Sequence, residues 1–174
     1  MGLAGDLGYT YQPPNAVQRA MQAFGASRPG AWMFSKTLRY MDRVVFALSK
    51  GRTSVPLLLA GLPVLRVTTT GRRSGQPRTS PLIAPPIGDT LALVGTNFGQ
   101  PHTPAWVHNL EADPSATVEY RDATVAVRAR PATDDERVEV WRAADRVYGG
   151  YAKYQERIDE RRDIRVFVLE PATS

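Results

Sequence analysis

Residues 68 to 79 read TTTGRRSGQPRT, which puts three arginines, two glycines and five hydroxyl side chains into twelve positions. Arg72, Arg73 and Arg78 offer guanidinium forks, Ser74 and Thr79 offer hydroxyls, and Gly71 and Gly75 leave backbone N–H groups uncovered. These are good ligands for a phosphate or a carboxylate. The Gly-Lys-Ser/Thr end of a triphosphate-binding loop is missing, and Gly71 and Gly75 do not make a dinucleotide fingerprint. What remains is a hairpin turn that either holds an anion or is a solvated tip.

A second stretch, GTNFGQPHTPAWVHNL (residues 95 to 110), runs from a strand end through a glycine-containing loop into a helix start. Free N–H groups there favour an anion or a polarised carbonyl, and Trp106 offers a flat surface to a ring. His102 and His108 have no carboxylate or third imidazole at ligand spacing, so no metal site is expected. Tyr148, Tyr151 and Tyr154 recur every three residues in VYGGYAKYQ and, if that stretch is helical, share one side of it. Such tyrosines either pack against the fold or line a pocket. The chain has no cysteine, which excludes disulfides, thiolate metal sites and a cysteine nucleophile. No serine-triad elbow and no aromatic–basic RNA signature is present, so no nucleic-acid partner is expected.

The elements that must position these groups are legible in outline. Asn15 caps a short helix running to Phe24, after residues 1 to 14 that read as an extended leader. Phe34, Leu38, Met41, Val45 and Leu48 recur at helical spacing between Trp32 and Lys50, with Lys36, Arg39, Arg43 and Lys50 opposite. That basic amphipathic helix either packs on its own domain or makes peripheral contact with a membrane. Val64–Thr70, 79–87, 90–95, 117–120, 124–130 and 164–169 read as about six strands. Helices are expected after Thr103-Pro104 and from the Thr133/Glu136 capping-box pair to Val147. Few helices lie between the strands and no βαβ rhythm appears, so the pattern is mainly β with helices (α+β), a small antiparallel barrel. Its 174 residues allow one domain, read as a leader over residues 1–30 and a barrel domain over 31–174. The formal charge of +5 is modest. MGLAGDLGYTYQPPN is unlike a signal peptide, which makes the cytoplasm the default location.

Taken together, LRVTTTGRRSGQPRTSPL (65–82), GTNFGQPHTPAWVHNLEADP (95–114) and VYGGYAKYQ…IRVFVLEP resemble the deazaflavin-dependent nitroreductases of actinobacteria. The resemblance runs from about Trp32 to Pro171. It implies a split β-barrel like that of FMN-binding proteins, with N-terminal helices. It also implies coenzyme F420, an 8-hydroxy-5-deazaflavin with a phospholactyl-oligoglutamate tail, as hydride carrier, FMN being the alternative. By resemblance, Arg72, Arg73, Ser74, Gln76 and Arg78 hold the phosphate and tail, and Thr79 and Pro81 border the deazaflavin. Thr96, Asn97 and Phe98 lie against the ring or ribityl chain, with Trp106 and Asn109 completing the pocket. Tyr148, Tyr151 and Tyr154 match the family's substrate-side tyrosines, with Tyr148 or Tyr151 favoured for hydrogen-bonding or protonating the acceptor. The implied activity is reduction of a quinone, enone or nitro-aromatic acceptor; a non-catalytic deazaflavin carrier is the other reading. The family often carries Lys at Arg73, His at Thr103 and Tyr at Ile83 and Val107, and the Ile83 and Val107 changes imply a less polar substrate side here. The Trp32–Lys50 helix resembles one that binds membranes in some members, which would put the protein at the inner face of the plasma membrane. A homodimer is compatible with the resemblance.

Overall fold

The computed structural model describes residues 2–11, 15–27, 29–30, 32–33, 61–158 and 163–172. The expected Trp32–Lys50 helix lies outside the described residues from position 34 onward. The elements are α1 (Leu3–Asp6), α2 (Ala16–Ala26), β1 (Val64–Thr70), β2 (Pro77–Ile83), β3 (Pro86–Ile87) and β4 (Thr90–Val94), then α3 (Ala105–Ala112), β5 (Ser115–Tyr120), β6 (Ala123–Pro131), α4 (Asp134–Val147), α5 (Gly150–Ile158) and β7 (Val166–Pro171).

Local chemistry explains most boundaries. The Asn15 side chain accepts from the Gln18 N–H at 2.9 Å and the Gln18 side chain accepts from the Asn15 N–H at 3.0 Å, which starts α2. Thr133 and Glu136 close the same reciprocal box at the head of α4, where three acidic residues also complement the helix dipole. Arg121, at φ 53°, turns the β5–β6 hairpin. α3 begins one residue later than its Thr103 hydroxyl suggests. Pro104 occupies the N-cap position and no side chain caps it.

The strands form one antiparallel sheet in the order β2-β1-β5-β6-β7-β4-β3. Side chains alternate across it: Leu65, Val67 and Thr69 of β1 are buried on one face, and Arg66, Thr68 and Thr70 stand on the other. Leu65 and Val67 share a packed cluster with Leu91 and Leu93 of β4, three strands further along the order than β5. Strands so far apart can share one cluster only because the sheet curls, and the result is the split barrel. Val118, Val127, Phe167 and Leu169 fill its interior, with Trp106, Val107 and Leu110 of α3. A second cluster covers the outside of β4 and β7, where Ala92, Val94, Val166 and Val168 pack under α4 and α5. Both sheet edges carry proline, Pro77 and Pro81 on β2 and Pro86 on β3, which blunts edge-to-edge pairing.

Three expectations change. The single strand over 79–87 is two strands, because Ala84 is buried and Pro85 has no N–H, and the chain crosses there from one edge of the sheet to the other. Among the described residues the count is therefore seven strands, not six. Within the leader, Leu3 and Leu7 are 0% and 3% exposed and belong to the barrel core. The Ala4 N–H donates to the Asp89 carbonyl at 3.1 Å, and the Tyr9 hydroxyl donates to the Ala84 carbonyl at 2.6 Å. Apolar burial wins over the extended chain expected for that stretch. No helix among the described residues is long and apolar enough to cross a membrane.

Candidate active site

The basic loop is a tight turn between β1 and β2. Gly71 N–H donates to the Gln76 carbonyl at 2.9 Å, and Gly75 N–H donates back to the Gly71 carbonyl at 2.7 Å. Gly75 sits at φ +64°, a conformation that side chains disfavour, and a Cβ at Gly71 would crowd the Ser74 hydroxyl and the Gln76 carbonyl. The loop is held from below by Asn109 of α3. Its side-chain oxygen accepts from the Arg72 N–H at 3.1 Å, and its amide donates to the Thr69 hydroxyl at 3.0 Å. Asn109 and Thr69 are buried polar groups that satisfy each other, at 6% and 2% exposure.

That clamp leaves the Arg72 and Arg73 side chains exposed, and among the described residues neither guanidinium has a hydrogen bond or ion pair. Arg78 leans toward the Ser74 hydroxyl at 3.5 Å. No carboxylate lies between residues 68 and 79, so the loop carries uncompensated positive charge. A phosphate or a carboxylate fits such a donor set.

Thr79, Pro81 and Ile83 follow on one face of β2, because alternate residues of a strand share a face. Thr79 shares a hydrogen bond with Thr68 across the strands at 2.8 Å. From the loop, this face leads over about 20 Å of strand to the Ile83 carbonyl, which accepts from the Tyr151 hydroxyl at 3.4 Å.

At that end stand the three tyrosines. Tyr148 caps α4 with an extended backbone, while Tyr151 and Tyr154 lie on α5. All three are buried, at 6%, 5% and 4% exposure, in the cluster outside β4 and β7. Tyr154 donates to the Gly25 carbonyl of α2 at 3.0 Å. Tyr148 stands 3.0 Å from the Tyr154 hydroxyl and 3.4 Å from the Gln22 carbonyl, so α2 lies directly over the hydroxyl pair. Gly150 makes the arrangement possible, since a Cβ there would overlap the Tyr148 ring. Burial, and secondarily the neighbouring Tyr148, pushes the Tyr151 phenol well above its ordinary pKa.

The remaining candidates do not all join these two places. Phe98 packs edge-on to Tyr154 with ring centroids 6.4 Å apart, and Ile83 joins the same cluster. Asn97 and Phe98 hold left-handed φ values of 49° and 56°, and Thr96 beside them is 5% exposed. Two adjacent non-glycine residues in that region store strain that the surrounding fold must impose. Trp106 is elsewhere: it is 6% exposed in the barrel core, edge-on to Phe167 at 6.1 Å. His108 pairs with Glu111 at 3.2 Å on the surface of α3. Two contributors escape sequence reasoning, Thr69 and Gly150. The signal for Thr69 is a polar residue at an inward position of an otherwise apolar alternation.

The F420H(2)-dependent quinone reductase family matches residues 40–171. A protein of Mycobacterium tuberculosis named as an F420H(2)-dependent quinone reductase is 33% identical over 110 residues, 62% of this chain and 72% of that protein. A solved structure of an F420-H2 dependent reductase (FDR-A) superposes with TM-score 0.57 at 35% identity, covering 62% of this chain and 94% of that one. Another, described as a domain-swapped dimer, gives TM-score 0.58 at 30% identity over 82% of this chain and 99% of its own. With the arginine loop, the curled antiparallel sheet and the tyrosine cluster in place, the chain belongs to the F420H(2)-dependent quinone reductase family.

Proposed function

We propose that this chain reduces a quinone with F420H2, and that the two clusters just described divide the work. The observation that carries the reading is the continuous face of β2, which joins an uncompensated arginine loop to a tyrosine wall. The bound deazaflavin supplies the hydride. Arg72, Arg73, Ser74, Gln76 and Arg78 hold its phosphate and first carboxylates, and Thr79 and Pro81 border the ring. Thr96, Asn97 and Phe98 press on it from the adjoining turn, while Asn109 and Trp106 act from beneath, by fixing the loop and the floor of α3. The protein's contribution is orientation, exclusion of water and stabilisation of developing charge.

Ile83, Tyr148, Tyr151 and Tyr154 form the acceptor side. A quinone that gains a hydride develops negative charge on oxygen, and a phenol hydroxyl stabilises that charge by donating to it. The raised pKa of Tyr151 keeps it a neutral donor and a reluctant acid, so hydrogen bonding, more than proton release, is its contribution. Access requires α2 to yield the hydroxyls that its Gln22 and Gly25 carbonyls now occupy. We take residues 31–174 as the deazaflavin-binding domain, with residues 1–30 adding α1 to its core and α2 to its acceptor wall.

The test is direct. Purified protein is titrated with oxidised and reduced F420 and with FMN, then given menadione while absorbance is followed. Binding of F420 in preference to FMN with menadione-dependent oxidation is the expected result. F420 binding without turnover on any acceptor would leave a carrier, and absence of binding would end the reading. A basic 32–50 segment would bring the enzyme to the inner face of the membrane where lipophilic quinones reside; salt-sensitive sedimentation with anionic liposomes is the expected outcome.

A further inference from the structure

The family match covers residues 40–171, so α1 and α2 both lie ahead of it. The two helices are attached in different ways. α1 is fixed, because Leu3 and Leu7 belong to the barrel core and the Ala4 N–H donates to the Asp89 carbonyl. The chain leaving α1 is fixed as well. The Tyr9 and Tyr11 hydroxyls donate to the Ala84 and Arg146 carbonyls, and the Tyr120 hydroxyl donates to the Thr10 carbonyl. Of α2, Gly25 and Ala26 alone are buried, while Val17, Ala20 and Phe24 are exposed. Apolar burial therefore does little to hold α2 where it is. Its C-terminal half is seated on the tyrosine wall by hydroxyl-to-carbonyl bonds, Tyr154 to Gly25 at 3.0 Å and Tyr148 to Gln22 at 3.4 Å.

That seat and the chemistry of the wall exclude each other. A phenol has one proton to donate, so a tyrosine that donates to α2 cannot at the same time donate to a quinone. The electrostatics point the same way. The C-terminal end of a helix carries partial negative charge, and no basic residue stands in the last turn of α2 to offset it. Such an end suits two hydroxyls. It repels a quinone oxygen that turns negative on gaining a hydride.

We propose that α2 is a lid over the acceptor side, tethered by α1, which rests on the phenols while no acceptor is bound and is displaced when one enters. The inference rests on the quinone-reductase reading above and adds an exchange of partners to it. The Tyr148 and Tyr154 hydroxyls turn from the Gln22 and Gly25 carbonyls to the quinone oxygen, and the freed carbonyls meet water at the helix end. The arginine loop, at the other end of β2, takes no part.

Amide hydrogen exchange of the full chain, read by mass spectrometry, tests the lid. In protein loaded with oxidised F420, residues 20–26 of α2 are expected to exchange about tenfold faster than residues 140–147 of α4, which covers the same cluster. Menadione finds no hydride donor in that complex. It is expected to quicken α2 exchange about fivefold further and to leave α4 unchanged, because a ligand that binds only the open state multiplies its population. Tyr154→Phe is expected to quicken α2 exchange about fivefold without menadione, through loss of one closing hydrogen bond. Equal exchange of α2 and α4 overturns the proposal, since α2 is then a rigid part of the fold. So does menadione that leaves α2 exchange unchanged or slows it, or a Tyr154→Phe variant that exchanges like the wild type. Absence of F420 binding ends the deazaflavin reading instead, and the same comparison of α2 with α4 in the unloaded protein then decides the lid.

Discussion

The arginine loop and the tyrosine wall sit at opposite ends of β2 and are built by opposite means. The loop is exposed, and its conformation is fixed by backbone turns and one buried amide while its cations face solvent. The wall is buried, and its hydroxyls are tied to one another and to backbone carbonyls of other segments. A cofactor tail in water is best met by charges that need no rearrangement, because exposed guanidiniums pay little to pair with it. An electron acceptor is best met where water is excluded and each hydrogen bond counts for more. The two regions should therefore fail in different ways when damaged: one in affinity, the other in stability and turnover.

The sharpest contrast comes from removing both free cations of the loop. Arg72→Gln with Arg73→Gln is expected to weaken cofactor binding about 100-fold, from charge-assisted contacts, with the melting temperature nearly unchanged. A large fall in thermal stability would break the division. At the other end, Gly150→Ala is expected to destabilise the fold by about 2 kcal/mol, because the added Cβ forces the buried Tyr148 ring aside. Denaturant unfolding reads this, and cofactor affinity should be preserved. Asn109→Ala tests the link between the regions' support and the loop's function. It leaves Thr69 and the Arg72 N–H without their partner, at an expected cost of about 1–2 kcal/mol in stability, with a parallel loss of cofactor affinity.

Smaller still is Tyr148→Phe. It removes the hydroxyl beside Tyr154 at an expected cost of about 1 kcal/mol, and quinone turnover should fall with cofactor binding intact. An unchanged rate with several quinones would show the wall to be packing alone. The least effect concerns a site outside both regions. The Arg130 side chain donates to Glu136 at 2.6 and 2.7 Å, and with the Thr133 backbone N–H this holds the Glu136 carboxyl at about 2. A depressed folded-state value stabilises the fold above the ordinary carboxylate range, near pH 4.5, and that contribution is lost as pH falls toward about 2. Acid unfolding of Glu136→Gln should accordingly be less steep in that window than that of the wild type.

Much of this was legible in the residues. The loop was visible because glycines, arginines and hydroxyls within twelve positions specify a polar turn without help from elsewhere. The β1 strand, the β5–β6 turn and the α4 capping box were visible for the same reason, since each is decided by neighbours within a few residues. The tyrosine triplet was visible as a spacing, but it is not one helix face. Tyr148 ends α4 with an extended backbone and only Tyr151 and Tyr154 lie on α5, so folding of the chain at Gly149-Gly150, and not helical periodicity, gathers the three. Trp106 was misleading: beside a polar loop it reads as a ring platform, whereas the helix turns it inward to Phe167.

What the sequence alone determined here is the chemistry on offer and the short-range frame: a cationic turn, its flanking strands, the capped helices and the family. Only the tertiary structure decided who holds what. Asn109 reaches the loop across 37 residues, and Tyr154 reaches Gly25 across 129. Thr69 supports the arginine loop only because curling of the sheet turns its side chain toward α3. Turns and caps are settled by local sterics and hydrogen bonds. Distant partners are chosen by which curled arrangement buries the apolar faces of seven strands at once, a property of the whole chain that no short segment carries.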